Sequence, residues 1–108
     1  MIVTRSEKLV YVDVDETLIM RSSTGIKLDY YGMEWTISPI MENINFMISL
    51  KERGYYVIVH SANGWLHAKK VIELLYLVDF VDEIKSKPIK YVDDKPVEEW
   101  FGPRIYFK

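Results

Sequence analysis

The chain has no cysteine. That excludes a disulfide framework and any thiolate metal site, and leaves oxygen and imidazole as the side-chain ligands for a metal. Imidazole is scarce as well: His60 and His67 are the only two histidines, too few for a histidine cluster. A charge excess is also missing. The 14 basic and 16 acidic residues, net −2, are mixed along the chain, with neither the basic stripe of a nucleic-acid binder nor the polybasic patch of a membrane-surface protein. Residues 1–8 carry Arg5, Glu7 and Lys8 where a signal peptide would be apolar, and the longest apolar stretch, 71–81, is broken by Glu73 and Asp79. There is no internal repeat and no low-complexity segment. These absences lead us to expect a soluble, cytoplasmic protein with no membrane partner.

What is present is enough apolar material, 49% of 108 residues, for one domain over 1–108 that buries roughly two thirds of its unfolded surface. Its focal stretch is Leu9-Val10-Tyr11-Val12-Asp13-Val14-Asp15-Glu16-Thr17-Leu18. The apolar run predicts a buried strand over 8–13, and acids appear where it stops. Acidic residues are poor strand and core formers, so Asp-x-Asp-x-Thr at a strand mouth points to a site, or more plainly to an Asx turn with Thr17 as a helix cap.

Residues 16–23 read as turn or loop, and the alternating segments 26–30 and 33–37 around Gly32 as a small hairpin. Ser38-Pro39 predicts a helix start, with Ile40, Ile44, Met47 and Ile48 at helical spacing over about four turns, closed by Lys51, Arg53 and Gly54. Tyr55 to His60 is a strand, and a strand following a helix after a short link implies a parallel βαβ unit. A second helix is expected over 65–77, with Ala68, Val71, Ile72 and Leu75 inward and His67, Lys70 and Glu73 away from that face. Residues 80–84 and 89–92 read as further strands, Pro96 opens a helical turn through Trp100, and 104–107 reads as a closing edge strand. This strand–helix alternation predicts an α/β fold: a Rossmann-like, open, mostly parallel sheet with helices on both faces and a small flap at about 20–37.

Three of the expected strands end in polar residues: Asp13, Asp15 and Thr17 on the first, Ser61 on the second, and Asp93 and Asp94 on the third. In a parallel sheet the carboxyl ends share one edge, so these groups would converge. Like charges about 4 Å apart at an effective dielectric near 20 cost on the order of 4 kcal/mol a pair, against a total domain stability of about 5–15 kcal/mol. A hard divalent cation relieves that conflict, and an all-oxygen donor set suits Mg²⁺ better than zinc.

Asp13-Val14-Asp15-Glu16-Thr17-Leu18, Ser61 after Val57-Ile58-Val59-His60, Lys87-Pro88, and Asp93-Asp94 after Tyr91-Val92 together resemble the four ordered motifs of the haloacid dehalogenase superfamily of phosphohydrolases. The matched positions frame residues 9–94, and the short gaps between motifs resemble the small capless members. The resemblance implies a Mg²⁺-dependent phosphomonoester phosphatase working through an aspartyl phosphate. Asp13 would be the nucleophile and Asp15 the general acid and base, while Lys87 would neutralise the transferring group. Thr17, Ser61, Ala62, Asn63 and Lys87 would line the phosphoryl site. Asp13, the Asp15 main-chain carbonyl and Asp93, with Asp94 next to them, would hold the Mg²⁺. The implied partner is a phosphorylated small molecule or a phosphorylated polynucleotide end, and assembly with a second copy of the chain stays open.

Each residue also has a plainer reading. Ser61 could cap the helix that begins near Gly64; Lys87 competes with Lys85 and Lys90; His60 would be a packed strand residue and His67 a surface one. Trp65, Tyr30, Tyr31 and Trp35 read as core or as substrate contacts. A different class of function, a phosphate-binding or phosphoacceptor module without turnover such as a receiver domain, would use similar residue types. Receivers place Ser/Thr and Lys later and lack Asp-x-Asp-x-Thr, so the order here favours the enzyme.

Overall fold

The computed structural model describes residues 8–30 and 33–101. In chain order these form β1 (Leu9–Asp13), β2 (Ile19–Tyr30), β3 (Met33–Pro39), α1 (Met41–Glu52), β4 (Tyr56–Ser61), α2 (Trp65–Leu74) and β5 (Glu83–Ser86), with short 3₁₀ turns at Val78–Phe80 and Val97–Glu99. The main sheet has three parallel strands in the order β1-β4-β5, and β2 and β3 make a separate antiparallel hairpin.

Strand β4 is central because it is apolar on both sides: Val57, Ile58 and Val59 are all buried. Burying a branched side chain stabilises by about 1.5–3 kcal/mol, so this triplet is a main anchor of the core. Val10 pairs with Val57 and Val12 with Val59. On that face they meet Ile44 and Met47 from α1 and Ala68, Val71 and Ile72 from α2.

Both described helices therefore cover one face of the sheet, which corrects the expectation of helices on both. The reason is topological. Two successive right-handed crossovers that step the same way across a sheet leave their helices on the same side. The opposite face carries Tyr11, Ile58 and His60, and Phe101 packs edge-on to Tyr11 at 5.8 Å.

The hairpin is longer than the sequence suggests. Residues 19–23, expected as loop, belong to β2, and a register shift between Arg21 and Ile26 absorbs the polar stretch between them. Gly25 makes this possible: with φ +150, a Cβ there would lie 2.3 Å from the Ile37 carbonyl oxygen. Leu28 and Ile37 carry the hairpin into the common core.

Other boundaries move too. Pro39 ends β3 rather than starting a helix, and α1 begins at Met41 without a side-chain cap; its 12 residues make about three turns. Helix α2 stops at Leu74, and the expected strand over 80–84 begins only at Glu83. Residues 89–92 form no strand, and Ile89 and Val92 lie open to solvent. A four-residue run of good strand formers becomes a strand only when an edge pairs with it, and among the described residues none pairs with β1 on the side away from β4. The expected strand over 104–107 and Tyr31 fall outside the described residues. No described helix is long and apolar enough to cross a membrane.

Asp82 ties α1, β4 and the approach to β5 together. Its carboxylate accepts from Lys51 Nζ at 2.6 Å and from the Val57 N–H at 2.7 Å, while its own N–H donates to the Val57 carbonyl at 2.8 Å. The Lys51 ammonium holds the carboxyl below its ordinary 3.8, with the Val57 N–H assisting and partial burial opposing. A depressed folded-state pKa contributes stability that is present above the ordinary carboxyl range and is lost as pH falls through the lower folded value. Asp82→Asn should destabilise the protein at pH 7 by about 0.5–1 kcal/mol, the range of a solvent-screened pair. Urea titrations should show that difference shrinking as the pH is lowered below about 4.

Candidate active site

After β1 the backbone makes one tight turn. The Val14 carbonyl accepts from the N–H groups of Thr17, Leu18 and Ile19 at 3.2, 2.8 and 3.2 Å, and Glu16 takes the left-handed conformation at φ 63. The fully buried side chains of Val14 and Leu18 pin the turn from inside. From α1, buried Asn43 donates Nδ2 to the Thr17 carbonyl at 2.8 Å, and the Ile40 N–H donates to the Leu18 carbonyl at 2.8 Å. Thr17 thus fixes the loop through its main chain.

The turn leaves the two first-motif acids facing different neighbours. Asp13 pairs in register with His60, and the Asp13 carboxylate accepts no hydrogen bond from a described residue. Burial pushes the His60 imidazole below its ordinary value and the nearby Lys87 ammonium pushes the same way, while Asp13 opposes them. The ring of His60 lies 5.1 Å from that of Tyr11, so His60 is the packed strand residue that its sequence position suggests.

Asp15 instead is the centre of a hydrogen-bonded group. Its Oδ2 accepts from Ser61 Oγ at 3.3 Å and Asn63 Nδ2 at 2.9 Å, and its Oδ1 lies 3.1 Å from His67 Nε2. Ser61 and His67 are wholly buried.

His67 corrects the expectation of a surface residue. It stands four residues before Val71, one turn along the same helical stripe, and that spacing was the available signal. Its ring also packs against Trp35 of the hairpin at 5.2 Å. Ser61 does not cap α2. Its Oγ accepts from the Asn63 N–H at 3.0 Å, Gly64 stands at the cap without a side-chain bond, and the Trp65 N–H is satisfied by Ser86 Oγ at 2.9 Å.

Lys87 follows β5 directly, with its N–H on the Ser61 carbonyl at 2.9 Å. Lys85, one of its two rivals, pairs in register with His60 and lies 3.5 Å from Glu83. The carboxyl edge of the sheet therefore gathers Asp13, Asp15, Ser61, Asn63 and Lys87, with Ala62 exposed in the turn between Ser61 and Asn63.

Asp93 and Asp94 are not delivered there by a strand. Both are exposed on irregular chain, and Asp93 Oδ1 accepts from the Lys95 N–H at 3.0 Å. Among the described residues no group of three or more carboxylates or imidazoles is arranged to hold a metal. The donor set that remains is Asp13, whose carboxylate is open, with the main chain of Asp15. Mg²⁺ accepts such a set, because it commonly keeps several waters and takes one or two protein carboxylates.

A cleft of about 160 Å³ opens beside Asp15, lined by Asp15, Glu16 and Asn63 together with Arg21, Trp35 and Ile37 of the hairpin. The hairpin is thus part of the site. Trp35 is half-buried between Arg21 and His67, so it serves as support more than as an open stacking face. Trp65 is exposed at the start of α2. No protein-family model, no curated protein and no solved structure matches this chain, so the reading of the site rests on its own residues.

Proposed function

We propose that the chain is a Mg²⁺-dependent phosphomonoester phosphatase of the haloacid dehalogenase type, with its parallel sheet as the centre of a Rossmann-like fold. The observation that carries the reading is the meeting of Asp13, Asp15, Ser61 and Lys87 at one sheet edge from three separate strands. The Asp13 carboxylate, free of hydrogen bonds from described residues, attacks phosphorus. An oxygen–phosphorus bond forms on Asp13 as the ester bond breaks, and Asp15 passes its proton to the departing oxygen. Asp15 then takes a proton from water. That water attacks the aspartyl phosphate and releases inorganic phosphate.

Asp15 must be both protonated and ionised in this cycle, and its neighbours accommodate both states. The Ser61 hydroxyl can donate or accept by rotation, and the His67 ring does either according to its tautomer. Lys87 offsets the negative charge of nucleophile and phosphoryl group together. Bound at Asp13 and Asp15, Mg²⁺ would supply further charge neutralisation. The substrate would be a phosphorylated small molecule or a phosphorylated polynucleotide end.

A second reading, a phosphate-binding or phosphoacceptor module without turnover, draws on the exposed position of Asp93 and Asp94 and on the three side chains already engaging Asp15. Hydrolysis of an aryl phosphate by the purified protein separates the two. Turnover with Mg²⁺ that is abolished by a chelator and restored by added Mg²⁺ supports the enzyme. Binding of Mg²⁺ and phosphate by calorimetry without release of the phenol would favour the module.

A further inference from the structure

Among the described residues lining the cleft beside Asp15, Arg21 is the one cation, and the other charged lining residues are Asp15 and Glu16. Its guanidinium carbon lies 4.1 Å from the centroid of the Trp35 ring. Trp35 in turn packs on His67, and His67 meets Asp15. Arg21 is therefore carried by the same chain of contacts that holds Asp15.

Stacking uses the face of a guanidinium and leaves its edge donors available. Arg21 spends none of them: it donates no hydrogen bond to a described residue and forms no ion pair with one. Its direction is built into the backbone, since it stands at the register shift of β2 where Ile37 pairs with both Arg21 and Ile26, and such bulges re-aim side chains. An arginine without an ion-pair partner among the described residues, already stacked on an aromatic ring, has lost part of the freedom that binding would otherwise cost.

We infer that Arg21 is a specificity-determining residue of the phosphatase reading above, and that the substrate is a phosphomonoester whose leaving group carries a second anionic group, carboxylate or phosphate. The scissile phosphoryl group lies at the sheet edge with Asp13 and Lys87. The second anion is received by the edge of the Arg21 guanidinium, whose fork matches either group in a bidentate manner. Without Arg21 the acidic wall of Asp15 and Glu16 would repel that anion. The cleft, about 160 Å³, is smaller than the roughly 300–1,000 Å³ that encloses a drug-sized ligand, so it grips the doubly charged end and leaves any larger remainder outside.

The test uses three esters matched in chain length: n-propyl phosphate, the same ester ending in a carboxylate, and the same ester ending in a second phosphate. The native protein should prefer at least one doubly charged ester over propyl phosphate by about tenfold or more in kcat/KM. The carboxylate and phosphate arms identify which anion it takes. In Arg21→Gln, whose planar amide can still lie on Trp35, that ratio should fall toward one. Arg21→Lys should recover part of it, as a point charge without the fork.

A native ratio near one overturns the proposal. So does an Arg21→Gln protein that slows all three esters equally, because Arg21 would then serve the scissile phosphoryl group. If the native protein turns over none of them, the phosphatase reading fails by itself. Calorimetric affinities for the same esters then decide on Arg21, and equal affinities in the native and Arg21→Gln proteins overturn the anion subsite.

Discussion

Asp13→Asn should reduce phosphomonoester turnover by on the order of 10⁴–10⁶-fold, the scale seen when the nucleophile of a concerted catalytic group is removed. The substitution keeps the shape of the side chain and removes the charge and nucleophilicity that carry the first step. Because the Asp13 carboxylate accepts no hydrogen bond from a described residue, it takes little from the fold, and urea midpoints of the two proteins should agree closely. Acid-quenched native protein should carry a labile acyl phosphate during turnover that the Asn protein lacks. Comparable hydrolysis rates in the two proteins would remove Asp13 from the chemistry.

Asp15→Asn should lower kcat by about 10²–10⁴-fold, the usual contribution of a positioned general acid and base. The loss should depend on the leaving group. A nitrophenolate departs without a proton, so the first step survives and the second, which needs a base for water, becomes limiting. Mixing Asp15→Asn with an aryl phosphate should then release about one equivalent of phenol in a burst, followed by a slow steady state. An alkyl phosphate, whose leaving oxygen needs the proton, should show no burst. A uniform loss with every ester would mean that Asp15 holds Ser61, Asn63 and His67 in place without moving a proton.

The strand ends were legible because their signal is local. Apolar runs that stop at Asp13 and Ser61 mark two carboxyl ends, and their parallel pairing follows from the intervening helix, whereas the third end falls at Ser86 and not at Asp93. The polar stretch Arg21 to Gly25 gave no such sign. Its residues read as loop because strand formation there depends on pairing with β3 and on a backbone approach that only glycine permits. Ile89 to Val92 failed in the opposite way: the local pattern is right, but no described edge pairs with it. A run of strand formers has no free-energy minimum as a strand until its hydrogen bonds have a partner.

Sequence alone determined the mixture of strands and helices, the strand that ends near His60, and the presence of acids and a hydroxyl where the first two strands stop, since each follows from residue type and spacing. Tertiary structure alone decided that both helices share one face, that His67 turns inward to Asp15, and that the hairpin brings Arg21 and Trp35 against the same acid. The physical reason is range. Periodicity reports how one element divides between core and solvent, whereas these contacts join residues up to 52 positions apart, and only packing chooses which of them meet.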